Sequence, residues 1–305
     1  MPKQILLVHG RGFKPPKADY ERLWLDAVEV GFERDRPDLL PAFRSARVEL
    51  VYYADLSGEW LSKVGKKPLP DDLAMRRASL DGLRGLKASQ FTRNHYARMR
   101  GSAPVFEAIA DAVDFPLSLL RLSEKMFARY APELAEYWAD VHFGSDLRLR
   151  LTAHLKTAMK REGPICLVGH SLGTMICYDV LWKLSHYGEY RREPWNRAVD
   201  LLVTLGSPVA DETIKRHLKG QSAPEEFRHP TNVGRWENIA AEDDIIAHDQ
   251  TVADEFGAMK RAGCPVRDHR IYNLALRHGK PNPHEGVGYL AHPRTVKILA
   301  DFLEA

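Results

Sequence analysis

A glycine-flanked serine stands where a short apolar run gives way to a longer run with helical spacing. Ser171 has Gly169 and Gly173 two residues to either side of it, and His170 and Leu172 directly beside it. This pattern is typical of a strand, a sharp turn and a helix, in which small residues let strand and helix approach each other around a strained serine. The turn exposes the hydroxyl at the carboxyl end of a sheet. We therefore predict a nucleophilic serine; the alternative is an ordinary glycine-rich turn.

A serine hydroxyl attacks when a base accepts its proton, and an imidazole base needs a carboxylate that fixes its tautomer and stabilises its positive charge. On a parallel sheet of this kind the order along the chain is serine, acid, histidine. Glu242, Asp243 and Asp244 come directly after a predicted strand. We favour Asp244 as the acid because apolar residues follow it and re-enter the fold, and Asp243 is the alternative. Helix capping or a solvated loop would also account for these carboxylates.

The histidines that follow the acidic loop supply the candidate bases. His284 lies in a glycine- and proline-rich loop between the last predicted strand and the last predicted helix, where a base can reach the serine. His278 is nearer the end of the strand and is the alternative. The positions of the other three are less suitable: His248 is too near the acid, His269 precedes the predicted last strand, and His292 adjoins the terminal helix.

A second glycine-containing segment, His9-Gly10-Arg11-Gly12, follows the apolar run at 5–8. In acyl transfer, backbone N–H groups stabilise the negative oxygen that forms on the attacked carbonyl. We expect one such N–H from Leu172, directly after the serine, and a second from Arg11 or Gly12. A tight turn into the next helix would alone explain the two glycines.

Apolar runs alternate with helical patterns along the chain, and these are the elements that must position the candidate residues. Strands are predicted at 4–8, 48–54, 165–168, 199–205, 236–241 and 270–276, and helices at 18–34, 174–184 and 293–303. The alternation is typical of an α/β fold with a mainly parallel sheet and helices on both faces. In such a fold the functional loops lie at the carboxyl ends of the strands.

Residues 56–144 fall outside this alternation, so we predict an inserted helical cap or lid between two core segments, 1–55 and 145–305. Apolar residues at helical spacing between positions 119 and 141 are typical of a helix packed on the core or of a roof over the site. Between positions 76 and 100 there are seven lysines and arginines and one acidic residue. A solvated helix face explains this charge; peripheral contact with an anionic membrane or with an acidic partner is the alternative.

The composition restricts the class of protein. The chain has 305 residues with 44 basic and 41 acidic side chains, and this balance argues against a nucleic-acid-binding protein. No apolar run has the length of a membrane span, and the amino terminus does not resemble a secretory signal. The three cysteines lack metal-ligand spacing, so we expect buried thiols, no metal site and a reducing compartment, with the cytoplasm as the default location.

These motifs resemble those of α/β-hydrolases of the serine esterase and lipase type. The matching residues are HGRG at 9–12, GHSLG at 169–173, TLGSP at 204–208, EDD at 242–244 and NPHEGVGYL at 282–290. The resemblance covers the two core segments. It implies the α/β-hydrolase fold, Ser171 as nucleophile, an oxyanion hole from Leu172 and the His9 loop, and ester chemistry without a cofactor. The sequence departs from the family in beginning at what would be its third strand and in the position of the insertion.

The expected activity is hydrolysis of a carboxylic ester, from a small molecule or a lipid-like compound, through an acyl-enzyme on Ser171. An acyltransferase or a thioesterase on the same residues is a close alternative, because the sequence does not select what reacts with the acyl-enzyme. An alternative of another class is a non-catalytic binding protein that keeps the fold and engages a partner through residues 56–144.

Overall fold

The computed structural model describes residues 1–101 and 132–305, and a six-stranded parallel sheet runs through them. Its strands are β1 (Gln4–Val8), β2 (Arg47–Val51), β3 (Ile165–His170), β4 (Leu201–Leu205), β5 (Trp236–Ala241) and β6 (Val266–Ile271). They are arranged in the order β2-β1-β3-β4-β5-β6, and each neighbouring pair is parallel. The prediction of an α/β fold with a mainly parallel sheet is thereby confirmed.

Fourteen helices are found in the described ranges. They are α1 (Lys17–Asp35), α2 (Leu40–Ser45), α3 (Ala54–Lys63), α4 (Asp72–Arg84), α5 (Arg93–Arg100), α6 (Pro132–Ala139), α7 (Val141–Met159), α8 (Leu172–His186), α9 (Gly188–Arg191), α10 (Glu212–His217), α11 (Val252–Glu255), α12 (Gly257–Arg261), α13 (Gly286–Leu290) and α14 (Pro293–Glu304). Short 3₁₀ turns occur at Pro37–Leu39, Ala88–Gln90 and Glu225–Phe227, and a small antiparallel hairpin pairs β7 (Leu276–Arg277) with β8 (Lys280–Pro281).

The sheet is covered on both faces, which is why its central strands are apolar throughout. All residues of β1, β3 and β4 are buried. Successive side chains of a strand point to opposite faces, so Leu6 packs into the core formed with α7 and α8, whereas Ile5 and Leu7 pack into the core formed with α1 and α14. Packing on both faces of the sheet therefore fixes the positions of the carboxyl ends of these strands.

Two predicted strands differ from those observed by more than two residues at an end. The predicted strand at 48–54 ends at Val51, and α3 begins at Ala54. The last strand is Val266–Ile271 rather than 270–276, because this edge strand buries only its first and last residues and carries polar residues between them. His269 therefore lies within β6, not before it, and its Nε2 is 2.7 Å from a carboxylate oxygen of Glu237 on β5.

The described part of the segment 56–144 is helical and contacts the core. Helix α4 packs against α1 and α13, with Leu80 and Leu83 buried. Of the apolar positions expected between 119 and 141, Leu134 and Tyr137 are buried and Val141 is 72% exposed, while those before residue 132 lie outside the described residues. Helix α7 runs across the predicted boundary at 144/145.

Several side chains of the basic stretch at 76–100 form ion pairs with the rest of the chain. Arg76 contacts Asp72 and Glu285, Arg84 contacts Glu33, and Arg100 contacts Asp243. This stretch is thus not wholly solvated, because some of its side chains are ion-paired with residues of the core segments.

Two further expectations concern the whole chain. The cysteines at positions 166, 177 and 264 are unbonded and buried, as expected. Over the described ranges, no helix combines the length and the apolar character needed to cross a bilayer.

Candidate active site

Ser171 occupies the turn between β3 and α8 in a backbone conformation that is rare outside glycine. Its φ is 54° and its ψ is −125°, in the left-handed half of conformational space. The turn brings α8 against the loop that follows β1, and a Cβ atom at position 173 would lie 2.5 Å from the carbonyl oxygens of Val8 and His9. Only glycine fits there, which explains the second glycine of the Gly-x-Ser-x-Gly pattern.

His284 lies beside the serine, on the loop between β8 and α13. Its Nε2 is 2.9 Å from Ser171 Oγ, and its Nδ1 is 2.9 Å from both carboxylate oxygens of Asp244. Because a carboxylate accepts hydrogen bonds, Nδ1 is assigned the proton and Nε2 is left to accept the serine O–H. The chain of hydrogen bonds from serine to imidazole to carboxylate is continuous.

The Asp244 carboxylate is fully buried and held by further donors. The Tyr289 hydroxyl donates to Oδ2 at 2.6 Å, and the backbone N–H groups of Ile246 and Ala247 donate to Oδ1 at 3.0 and 3.3 Å. The Tyr289 oxygen in turn accepts the N–H of Ala241 at 2.8 Å. These bonds replace the water that a buried carboxylate loses and fix its orientation toward His284.

The alternative acid and the alternative base lie elsewhere. Asp243 has a φ of 62° and points to the surface, where its carboxylate is 2.9 Å from Arg100 and accepts the Tyr96 hydroxyl at 3.2 Å. His278 sits in the turn between β7 and β8, and within the described residues it makes no hydrogen bond with Ser171 or Asp244. The structure thus brings Ser171, His284 and Asp244 together and leaves Asp243 and His278 apart from them.

The loop after β1 runs directly beside the serine. A Cβ atom at Gly10 would lie 2.8 Å from the Ser171 Cβ, so the two backbones are in close contact. Leu172 is the first residue of α8, where backbone N–H groups lack intrahelical acceptors. The Gly12 N–H donates to the Glu133 carboxylate at 2.6 Å, so this predicted oxyanion donor is already engaged. Arg11 is the other predicted position in this loop.

Two buried histidines hold the loops around the serine. The Tyr53 N–H donates to His9 Nε2 at 3.1 Å, and His9 Nδ1 donates to the Gly10 carbonyl at 2.7 Å. His170 Nε2 donates to the His284 carbonyl at 2.9 Å. Burial lowers the pKa of His9 to about 3 and the pKa of His170 well below its usual value. Both rings are therefore neutral at pH 7 and act as fixed hydrogen-bonding groups.

A cavity of about 370 Å³ opens beside Ser171. Part of its lining is apolar and comes from Phe13, Pro15, Pro16, Pro68, Leu69 and Leu73. Another part is charged, and we call five of its residues the charged wall: Lys14, Asp72, Arg76, Arg277 and Glu285. Ser171 and His284 are also in the lining, so a molecule in the cavity can touch both.

Ion pairs link the charged wall. Arg76 donates from Nε to Asp72 at 2.8 Å and from Nη1 to Glu285 at 2.5 Å, and Arg277 donates to the other oxygen of Asp72 at 3.2 Å. The Lys14 ammonium donates to the backbone carbonyls of Arg11 and Phe13. Burial, with the neighbouring Arg76 guanidinium, lowers the pKa of Lys14 to about 7.

Sequence reasoning missed several of these residues. Tyr289 lies in the quoted histidine loop, but nothing in its spacing indicated a bond to Asp244. Lys14 follows the His9 loop closely and could have been noticed as a charge near the serine. Arg76 was interpreted as part of a solvated basic face, because its partner Glu285 is 209 residues away along the chain.

Comparisons with known proteins give no family for the chain. No protein-family model matches it. No curated protein is significantly similar to it in sequence.

Proposed function

We propose that this chain is a serine hydrolase of the α/β-hydrolase type, which cleaves a carboxylic ester through an acyl-enzyme on Ser171. The observation that carries the proposal is the hydrogen-bonded chain Ser171–His284–Asp244, with both distances at the imidazole 2.9 Å. It lies at the carboxyl end of a parallel sheet, on a serine with a strained backbone. This geometry matches what nucleophilic catalysis by serine requires.

In the proposed reaction, His284 Nε2 accepts the proton of Ser171 as Oγ attacks the ester carbonyl. Asp244 stabilises the imidazolium that forms, and His284 then donates the proton to the departing alkoxide as the carbon–oxygen bond breaks. Water, deprotonated by the same imidazole, attacks the acyl-enzyme and releases the acid and free Ser171. The proton that His284 takes from this water passes to Ser171 Oγ as the acid leaves, so the serine hydroxyl and the neutral imidazole are both restored.

The negative oxygen of each tetrahedral intermediate needs backbone donors. We assign the Leu172 N–H, at the N-terminus of α8, and the Arg11 N–H, in the loop that touches Ser171, to this role. Gly12, the other predicted position, donates its N–H to Glu133.

We also propose that the segment 56–144 belongs to the substrate site. Residues 67–69 and 71–73 and Arg76 line the cavity, so this segment supplies one side of it. Its residues then take part in selecting the ester.

The test is covalent labelling with a fluorophosphonate, which reacts with activated serines. We expect one adduct, located by peptide mass analysis on Ser171, and none in Ser171→Ala. The exposed Ser62→Ala variant is a matched control and should label like the wild type. Absence of an adduct on Ser171 in folded wild-type protein would refute the proposal and favour a non-catalytic role.

A further inference from the structure

We infer, on the basis of the proposed hydrolase activity, that the substrate is an ester with a second, anionic group, which the Lys14 ammonium and the Arg277 guanidinium bind in the cavity beside Ser171. The group that best fits is a carboxylate at the end of a short hydrocarbon chain. The inference rests on the charges of the cavity lining and on their pairing.

Basic residues outnumber acidic ones in the described lining. The basic residues are Arg11, Lys14, Lys67, Arg76 and Arg277, and the acidic residues are Asp71, Asp72 and Glu285. An anion that enters the cavity therefore moves toward an excess of positive charge, in surroundings where charges interact more strongly than in water.

The carboxylates of the charged wall are already occupied. Asp72 accepts from Arg76 on one oxygen and from Arg277 on the other, and Glu285 accepts from Arg76. Arg277 uses Nη2 in this contact, and over the described ranges it has no second ion pair. A guanidinium carries five N–H donors, so Arg277 retains donors for a ligand.

Of the three cations in the charged wall, Lys14 alone has no ion pair with a carboxylate of the described residues. Within residues 1–101 and 132–305, no carboxylate oxygen lies within 4.0 Å of its ammonium. Its contacts are the carbonyls of Arg11 and Phe13, which are neutral. A partly buried ammonium with only neutral partners carries a desolvation cost that a bound anion relieves. The lowered pKa of Lys14 agrees with that cost.

The rest of the lining indicates what connects the anion to the ester. Phe13, Pro15, Leu69 and Leu73 form an apolar surface in the same cavity as Ser171 and Lys14. A volume of about 370 Å³ is at the small end of ligand pockets. The half-ester of a short dicarboxylic acid satisfies the apolar surface, the ammonium and the serine together.

The test compares two activated esters of the same chain length: neutral 4-nitrophenyl valerate and the anionic mono-4-nitrophenyl ester of glutaric acid. We expect wild-type kcat/KM to be at least about tenfold higher for the anionic ester. Lys14→Met should lower kcat/KM for the anionic ester about 10- to 100-fold, mainly through KM, and this loss should be at least about tenfold larger than the loss on the neutral ester. Lys66→Met is the control: it changes an exposed lysine that does not line the cavity, so its kcat/KM values should match those of the wild type.

Two outcomes would overturn the inference: equal use of both esters by the wild type, or an equal loss on both esters in Lys14→Met. The second result would mean that Lys14 only holds the loop through its carbonyl contacts.

A binding experiment separates this inference from the proposed hydrolysis. Glutarate is titrated calorimetrically into Ser171→Ala, and inorganic phosphate into a second sample. We expect glutarate to bind, and its affinity to fall at least about tenfold when Lys14→Met is added.

Binding without ester turnover would keep the anion site and refute the hydrolase. Turnover of the neutral ester without glutarate binding would keep the hydrolase and refute the anion site. Binding of phosphate in preference to glutarate would overturn the carboxylate assignment.

Discussion

The hydrogen bonds of Ser171, His284 and Asp244 form a closed set, and the buried carboxylate has four donors around it. In the charged wall of the same cavity, the carboxylates accept from arginines and the ammonium of Lys14 has only neutral hydrogen-bond partners. The first arrangement is complete without a ligand, whereas the second leaves a positive charge for one. We infer that the two groups of residues have separate tasks, reaction and selection.

The two groups differ in most of the elements that supply them, although they share one loop. The reacting residues follow strands β3 and β5 and hairpin strand β8, so the sheet and its packed helices fix their positions. The charged wall takes Lys14 from the loop after β1 and Asp72 and Arg76 from α4, while Arg277 lies on β7 and Glu285 directly follows His284. Changes in the reacting group should therefore act on all substrates, and the effect of changes in the charged wall should depend on the charge of the substrate.

The largest effect is expected at the nucleophile. Ser171→Ala removes the attacking oxygen, so kcat should fall by about 10⁴- to 10⁶-fold on the neutral and on the anionic ester alike. Stopped assays with both 4-nitrophenyl esters measure this. A loss confined to one ester would contradict the division between the reacting residues and the charged wall.

A smaller but still large effect is expected at the acid. Asp244→Asn presents an amide to His284 Nδ1 and favours the wrong imidazole tautomer, so kcat should fall by about 10⁴-fold. Asp243→Asn is the matched control, because its carboxylate faces Arg100 and Tyr96, and kcat should stay within about threefold of wild type. The reverse ranking of the two variants would show that the acid is misassigned.

A moderate effect is expected at Tyr289, which supports the acid without touching substrate. Tyr289→Phe removes one donor to Asp244, so kcat should fall about tenfold and the free energy of unfolding by about 1–3 kcal/mol. Steady-state kinetics and urea unfolding measure the two quantities, with Tyr272→Phe as the control. Lower stability with unchanged kcat would assign Tyr289 a structural role only.

The smallest effect is a pH dependence that belongs to the charged wall. Because the pKa of Lys14 is lowered to about 7, its charge is present below pH 7 and is lost above it. The ratio of kcat/KM for the anionic ester to that for the neutral ester should therefore fall about five- to tenfold between pH 6 and 8.5. Taking the ratio cancels titrations that affect both esters equally.

The groups that face Lys14 could also contribute to this pH dependence. Arg76 and Asp72 approach it from α4, Glu133 from α6, and Glu285 from the residue before α13. Lys14→Arg keeps all of them and retains a positive charge throughout the range, so its ratio should be independent of pH. A pH-dependent ratio in Lys14→Arg would assign the titration to another group.

The parallel sheet was predictable because its central strands are buried on both faces and therefore appear in the sequence as continuous apolar runs. The edge strand β6 was not, since Arg267, Asp268 and Arg270 interrupt its apolar pattern and only Val266 and Ile271 are buried. The last strand was therefore predicted at 270–276, a more apolar stretch nearby. A strand at a sheet edge that buries only its two end residues leaves too weak a pattern to fix its position in the sequence.

Much of the candidate site was also within reach of sequence reasoning. Ser171 is marked by its flanking glycines, and the order serine, acid, histidine limits the choice of the other two. The choice between Asp243 and Asp244 depends on the left-handed backbone at Asp243, which turns its side chain outward. The charged wall could not be predicted from the sequence, because Lys14 and Arg76 line the same cavity only when α4 packs on the core.

The most direct test of the proposed mechanism is the mass of the acyl-enzyme. The protein is mixed with the neutral 4-nitrophenyl ester, quenched in acid within the first turnover and digested for peptide mass analysis. The mechanism predicts an acyl group on the peptide that contains Ser171, located on the serine itself. Hydrolysis of the ester with no acyl group on Ser171, or with the acyl group on another residue, would contradict it.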